Sequence, residues 1–334
     1  MKCILHIGIQ KTATTSLQHF FVSNEKALLE QNYKITKSLG KINNMGLLQI
    51  ANKKLRSAQE KIVRDMDDVS YDLFIKRRAI AFEKEIRDVK WHNKTQKKKV
   101  LLSSEFLHSG LQITDIKNLK NNLKKIGFKE FQIVIVLRPQ NDVILSRIST
   151  AVIAGRHNEF LEAKNIIQSH YLKKKFPRFY NYNQTIKNWG EVFGERSLTI
   201  LDFNKIKGSS LEFNFLNAVD PNLIVKNLKT IERKNISLPF KIILSLNKLN
   251  KNYKIKYLER KNLNREINKM ESEKIDYALG KASVEHINQH FLEGNKKIEE
   301  KYKVNLNNEY RELIPIEVDF EKEYKLMLSF LGKS

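Results

Sequence analysis

KCILHIGIQKTATTSLQHFF, Lys2 to Phe21, decides the fold. Lys2 to Gly8 is rich in apolar residues and reads as a buried strand. From Thr14 to Leu29, apolar residues recur at helical spacing, among them Leu17, Phe20, Phe21, Leu28 and Leu29. A short polar loop joins the two. A loop at a helix N-terminus presents amide N–H groups that no helical carbonyl accepts, together with the positive end of the helix dipole, and both favour a phosphate or sulfate. Lys11 adds a cation there, and Thr12, Thr14, Thr15 and Ser16 add hydroxyl donors.

Working outward, short apolar runs suited to buried parallel strands recur at Val100–Ser103, Phe131–Leu137 and Leu198–Phe203. Helical periodicity lies between them at Lys61–Asp88 and Ile113–Ile126, and again at Val143–Ala154 after the third run. Strands separated by helix-length crossovers give an α/β fold with a parallel sheet. Beyond Asp220-Pro221 the strand signals fade, and Phe240–Leu249, Ile275–Tyr302 and Phe320–Leu331 read as helices. The expected organisation is an α/β core over 1–220 and a basic helical C-terminal extension over 221–334, packed on the core.

The composition fits a globular chain: 334 residues, 41% hydrophobic, with only 12 Gly and 5 Pro and no linker-like concentration of either. The single cysteine, Cys3, lies in the first apolar run, so the reading is a buried thiol in a reducing compartment. No run reaches the roughly 20 apolar residues of a membrane span. The polar QKTATTS that follows the first apolar run leaves no signal-peptide core, and a cytoplasmic location is expected. Sixty-one Lys and Arg against 37 Asp and Glu give a formal net charge of +24, which attracts polyanions at long range without choosing among them.

Two further stretches carry chemistry. FQIVIVLRPQNDVILSR, Phe131 to Arg147, delivers Arg138 to the carboxyl end of a buried strand, where open parallel sheets bind ligands and a guanidinium fork suits phosphate. Ser146 follows eight positions later, on the next helix. VLLSSEFLHSG, Val100 to Gly110, ends a strand with Glu105 at the same edge, and His108 follows within a helical turn. The His6–Gln18 loop does not have the G-x-x-x-x-G-K-[ST] spacing of nucleotide kinases, because Lys11 precedes Thr12-Ala13 and stands three positions after Gly8.

With Lys11-Thr12-Ala13-Thr14-Thr15 after a strand, the loop resembles the 5′-phosphosulfate loop of sulfotransferases, and HIG and TTSLQ resemble its bacterial carbohydrate-acting branch. Arg138 and Ser146 resemble that family's 3′-phosphate site, and the SSE run resembles carbohydrate sulfotransferases in which a glutamate is the base. The Tyr182–Phe203 stretch resembles the family's aromatic helix and following strand, and its stripe of Tyr182, Trp189 and Phe193 reads as core. RKNISL, Arg233 to Leu238, resembles a segment near the nucleotide, with no role assigned.

The resemblance implies a three-layer P-loop-type sheet and transfer of a sulfuryl group from 3′-phosphoadenosine 5′-phosphosulfate (PAPS) to an acceptor hydroxyl, expected on a carbohydrate. The residues Lys11 to Ser16 would hold the phosphosulfate, and Arg138 and Ser146 the 3′-phosphate. Glu105 is the expected general base, with His108 as the rival, and Lys11 stabilises charge on the leaving phosphate. The desulfated product is PAP. No metal, nucleic acid or membrane partner is expected. Ala13 stands where the family most often has glycine, and the reading taken is that the position needs a small side chain rather than a positive φ. The alternatives are a magnesium-dependent ATP phosphotransferase of P-loop type and a non-enzymatic binder of anionic glycan or nucleic acid.

Overall fold

The computed structural model describes residues 1–56, 63, 65–93, 95–161, 168–169, 176–208, 211–231, 238–313 and 318–333. Strand β1 (Lys2–His6) is followed by helices α1 (Thr14–Ser23) and α2 (Glu25–Glu30), then β2 (Tyr33–Ile35), α3 (Gly46–Ala51) and α4 (Asp68–Arg87). Next come β3 (Lys99–Ser103), α5 (Phe106–Gly110), α6 (Ile113–Lys125), β4 (Glu130–Leu137) and α7 (Gln140–Ile153). The two-residue β5 (Gln168–Ser169) precedes α8 (Tyr182–Phe193), β6 (Leu198–Asp202), α9 (Phe203–Ile206) and α10 (Leu211–Val219). Helices α11 (Phe240–Asn252) and α12 (Tyr257–Ile267), strand β7 (Ala278–Leu279), and helices α13 (Lys281–Tyr302) and α14 (Glu321–Phe330) complete the chain. RKNISL lies almost wholly outside the described residues, as do Lys61, Lys173, Lys174 and Lys175.

Five strands form one sheet in the order β2-β3-β1-β4-β6, and every pairing is parallel. His6 sits opposite Ser103 on one side and Val134 on the other, so the loops leaving β1, β3 and β4 emerge at a common edge. Both faces are covered at the centre of the sheet, which is why β1, β3 and β4 read as apolar runs. On one face Ile4, Leu101, Val134 and Val136 pack with Leu17, Phe20 and Phe21 of α1 and with Phe215 and Leu216 of α10. On the other, Cys3, Leu5, Val100, Leu102, Ile133 and Ile135 are fully buried. There α8 packs on β4 and β6, with Phe193 5.1 Å from Phe131 and stacked on Trp189. The aromatic stripe of Tyr182, Trp189 and Phe193 is therefore core, and the architecture is α/β with helices on both sides of a parallel sheet.

Three departures of the elements from the sequence pattern trace to a side chain. The helix expected from Thr14 to Leu29 is interrupted at Asn24, whose amide donates to the carbonyls of Phe20 and Lys229 and accepts from Lys229 N–H. The strand expected to reach Phe203 stops at Asp202, which caps α9 by accepting from Asn204 N–H. Helix α4 begins at Asp68 because the Asp67 carboxylate accepts the Ser70 N–H. The last long helix starts at Lys281 instead of Ile275, after β7 and Gly280.

The chain divides into two compact units, each made of three separate stretches. The first comprises 1–138, 177–234 and 293–305 and contains the sheet; the second comprises 139–176, 235–292 and 306–334. This differs from the boundary expected near 220. In the second unit α11 packs against both α7 and α14, so the stretch after β4 belongs with the late helices rather than with the sheet. The second unit also holds the short parallel β5–β7 ladder, with Gln168 opposite Ala278. Among the described residues no helix is long and apolar enough to cross a membrane.

Candidate functional site

The site is built at the carboxyl ends of β1, β3 and β4. Strand β1 is central, and the chain leaves it toward β2 and β3 before crossing back over it to β4, so the strand order reverses here. Open α/β sheets bind ligands in the crevice at such a reversal.

The β1–α1 loop takes an unusual backbone path. Gly8, Lys11 and Ala13 have φ of 48°, 73° and 59°, and Ala13 is the N-cap of α1 in the left-handed region. For an L-residue this region costs about 1–2 kcal/mol. The expectation that Ala13 needs only a small side chain is thus corrected: the position does require a positive φ, and alanine bears the strain that glycine would avoid. The loop is braced by the Thr12 hydroxyl, which donates to Ile9 C=O at 2.6 Å, and by Ile7 N–H, which donates to Val134 C=O. Thr12 is fully buried, so its hydroxyl is committed to this brace rather than offered to a ligand. The first bond of the α1 ladder runs from Leu17 N–H to Ala13 C=O, which leaves the N–H groups of Thr14, Thr15 and Ser16 ahead of the ladder. Thr14 is buried and Thr15 exposed.

Arg138 ends β4 and turns onto this loop. Its Nη1 donates to Lys11 C=O at 3.1 Å, its guanidinium lies 5.1 Å from the centre of the Phe203 ring, and its own carbonyl accepts from the Tyr182 hydroxyl. Lys11 and Arg138, 127 residues apart in sequence, therefore share one locus. Ser146 lies half-buried on α7, in the second unit, where its carbonyl accepts from the Thr150 hydroxyl. Its pairing with Arg138 stays an expectation of the sequence.

Glu105 stands just after β3, at the start of α5. Its Oε2 accepts from Gln18 Nε2 at 3.0 Å and from Asn43 Nδ2 at 2.8 Å. Gln18 Nε2 also reaches Ser103 Oγ at 3.2 Å, and Ser103 Oγ pairs with His6 Nδ1 at 2.9 Å. Asn44 fixes the end of β3 from the other side: its Oδ1 accepts Ser103 N–H, and its N–H donates to Ser103 C=O. Ser104 N–H donates to His6 C=O, while its fully buried hydroxyl has no partner among the described residues. A Cβ at Gly8 would lie 2.8 Å from Thr14 Cγ2 and 3.4 Å from both Glu105 Cβ and His6 Nε2, so the base of the Glu105 side chain abuts the anion loop.

The two histidines near the edge are both buried and held neutral. Burial lowers the His6 imidazole to about 3; His108 is lowered to about 3 by burial first and by the Arg178 charge second. Since Gln18 donates to Ser103 Oγ, the Ser103 proton is available to His6 Nδ1, an arrangement that leaves His6 Nε2 as the protonated nitrogen. That Nε2 is buried without a partner among the described residues. His108 sits edge-on to Phe179 and Tyr182, and its Nε2 is likewise buried with no partner among the described residues. An imidazole so reluctant to take a proton is a weak base near neutrality.

The structure thus brings Lys11, Thr12, Ala13, Thr14, Thr15, Ser16, Arg138 and Glu105 to one edge of the first unit and places His108 in an apolar niche. Gln18, Asn43 and Asn44 were not singled out by the sequence. Gln18 was legible as a polar residue on the otherwise apolar face of α1; Asn43 and Asn44 lie in a polar loop with no periodic signal. Among the described residues, no group of three or more His, Cys, Asp or Glu is placed to hold a metal ion. Compared with known protein families, with curated proteins and with solved structures, the chain has no match.

Proposed function

We propose that this chain is a sulfotransferase that moves a sulfuryl group from PAPS to a hydroxyl of a carbohydrate acceptor. One observation carries the reading: a cationic loop at a helix N-terminus, an arginine and a carboxylate converge at the strand-order reversal of a parallel sheet. The reading brings with it a P-loop-type fold, for which the central β1 and its anion loop are the support.

In this mechanism Lys11 and the amides opening α1 hold the phosphosulfate, and Arg138 contributes a second cation at the same edge. The acceptor oxygen attacks sulfur in line as Glu105 takes its proton; the new O–S bond forms while the S–O bond to the 5′-phosphate breaks. The negative charge left on the PAP phosphate oxygen is met by Lys11. Glu105 is preferred to His108 as the base because its carboxylate is held beside the anion loop by Gln18 of α1, whereas His108 sits against Phe179 and Tyr182 and burial weakens its imidazole as a base.

The test is isothermal titration of PAP into the protein in EDTA, beside Arg138→Ala. Micromolar or tighter binding that the variant loses supports the reading. No binding overturns it. Stabilisation by ATP with magnesium but not by PAP would favour a phosphotransferase, and salt-sensitive binding of a polyanion without PAP would favour the reading that the +24 charge supports.

A further inference from the structure

We infer that Gln18 and Asn43 are positioning residues that fix Glu105 relative to the anion loop, an inference that rests on the sulfotransferase reading. The Glu105 carboxylate accepts hydrogen bonds and has none to give, so the orientation of each amide is settled: Gln18 and Asn43 turn their nitrogens to it. Both bonds fall on the same oxygen, Oε2. Among the described residues no protein donor reaches Oε1. Two donors on one oxygen stop the carboxylate from rotating and hold the other oxygen in place to receive a proton.

Gln18 adds a mechanical link. It is 3% exposed and lies on the second turn of α1, the helix whose first turn forms the anion loop. Its nitrogen spans Glu105 Oε2 and Ser103 Oγ, so it ties the base to α1 and to the end of β3 together. The spacing between Lys11's loop and the base is therefore set by one rigid helix and one amide, not by the flexible Glu105 side chain alone. A buried glutamine kept only for packing would tolerate an apolar side chain of its own length. A positioning glutamine would not, because reacting groups displaced by about 1 Å lose up to roughly 100-fold in rate.

The experiment compares wild type, Gln18→Met and Asn43→Ala, each with and without Glu105→Gln. PAP affinity is measured by titration, and release of radiolabelled sulfate from saturating PAPS is followed with water as the acceptor. In that step water's oxygen bonds to sulfur, the S–O bond to PAP breaks, and Glu105 takes the proton. The expected result is a fall of about 10-fold or more in the release rate, within the range a general base supplies, with PAP affinity unchanged. In the Glu105→Gln background neither substitution should lower the rate further, since groups acting as a unit are non-additive. Release equal to wild type, including no measurable release from either, overturns the inference, as does a fall that repeats in full on Glu105→Gln. Wild type that does not bind PAP overturns the sulfotransferase reading itself, whereas normal PAP binding with unmoved rates overturns only the positioning role.

Discussion

Replacing Gly8 by alanine tests the geometry of the anion loop without any ligand. Its φ of 48° costs an L-residue about 1–2 kcal/mol, offset by about 0.4–1 kcal/mol from the stiffer unfolded chain. The new Cβ would stand 2.8 Å from Thr14 Cγ2. Thr14 is buried and β-branched, so its methyl cannot swing away cheaply, and overpacking of this kind costs about 1–3 kcal/mol. The net loss is about 3 kcal/mol, which lowers the melting temperature of a unit this size by about 6–12 °C. Both tryptophans, Trp91 and Trp189, belong to the first unit, so their fluorescence on heating reads that unit alone. Thr14→Ser removes the offending methyl, and in the Gly8→Ala background it should restore about half of the lost stability. A melt of Gly8→Ala within about 1 °C of wild type, or strict additivity of the two substitutions, would refute the geometry.

Other expectations follow from the same edge. At Ala13 the relief of left-handed strain by glycine is balanced by a looser unfolded chain and a lost methyl contact, so Ala13→Gly should melt within about 2 °C of wild type, whereas Ala13→Val should fall by more than about 5 °C. His6 and His108 titrate at about 3 when folded against about 6.5 unfolded, so the unfolded chain takes up protons first as the pH falls. Stability is then fully present above about pH 6.5 and is lost toward pH 3, at up to about 1.4 kcal/mol per pH unit for each histidine. His108→Leu should flatten that acid slope in the same fluorescence melt. Glu105→Gln should keep PAP binding in EDTA, checked by titration, while lowering the sulfuryl-transfer rate by about 100-fold or more, and Lys11→Ala should weaken PAP binding by about 10-fold or more in the same titration.

The parts of the fold that were legible in the sequence are those where burial writes a simple pattern. β1, β3 and β4 are buried on both faces over most of their length and appear as apolar runs, and the half-buried β6 still carries Leu198, Ile200 and Leu201; α6 and α8 show one-sided periodicity. β2 went unread because it is three residues long, with a polar Lys34 between Tyr33 and Ile35. At the site, Lys11, Arg138 and Glu105 were readable because each ends or follows a strand. Their supports were not: Asn43 and Asn44 act through hydrogen bonds that reach across 62 and 59 residues, a relation no local spacing encodes. The left-handed backbone at Ala13 was hidden for a similar reason, because alanine carries no mark of the φ it is forced to adopt.

The interleaving of the two units bears on how the chain is made. Strand β6 and residues 293–305 both belong to the unit that begins at residue 1, so the ribosome must deliver most of the polypeptide before that unit has all its parts. The stretch 139–176 emerges early but waits for helices near the far end of the chain to find its neighbours. Neither unit exists as one continuous length that a gene fusion or a protease could lift out intact. A cut near residue 220, where the strand signals of the sequence fade, would leave both halves missing pieces they need to close.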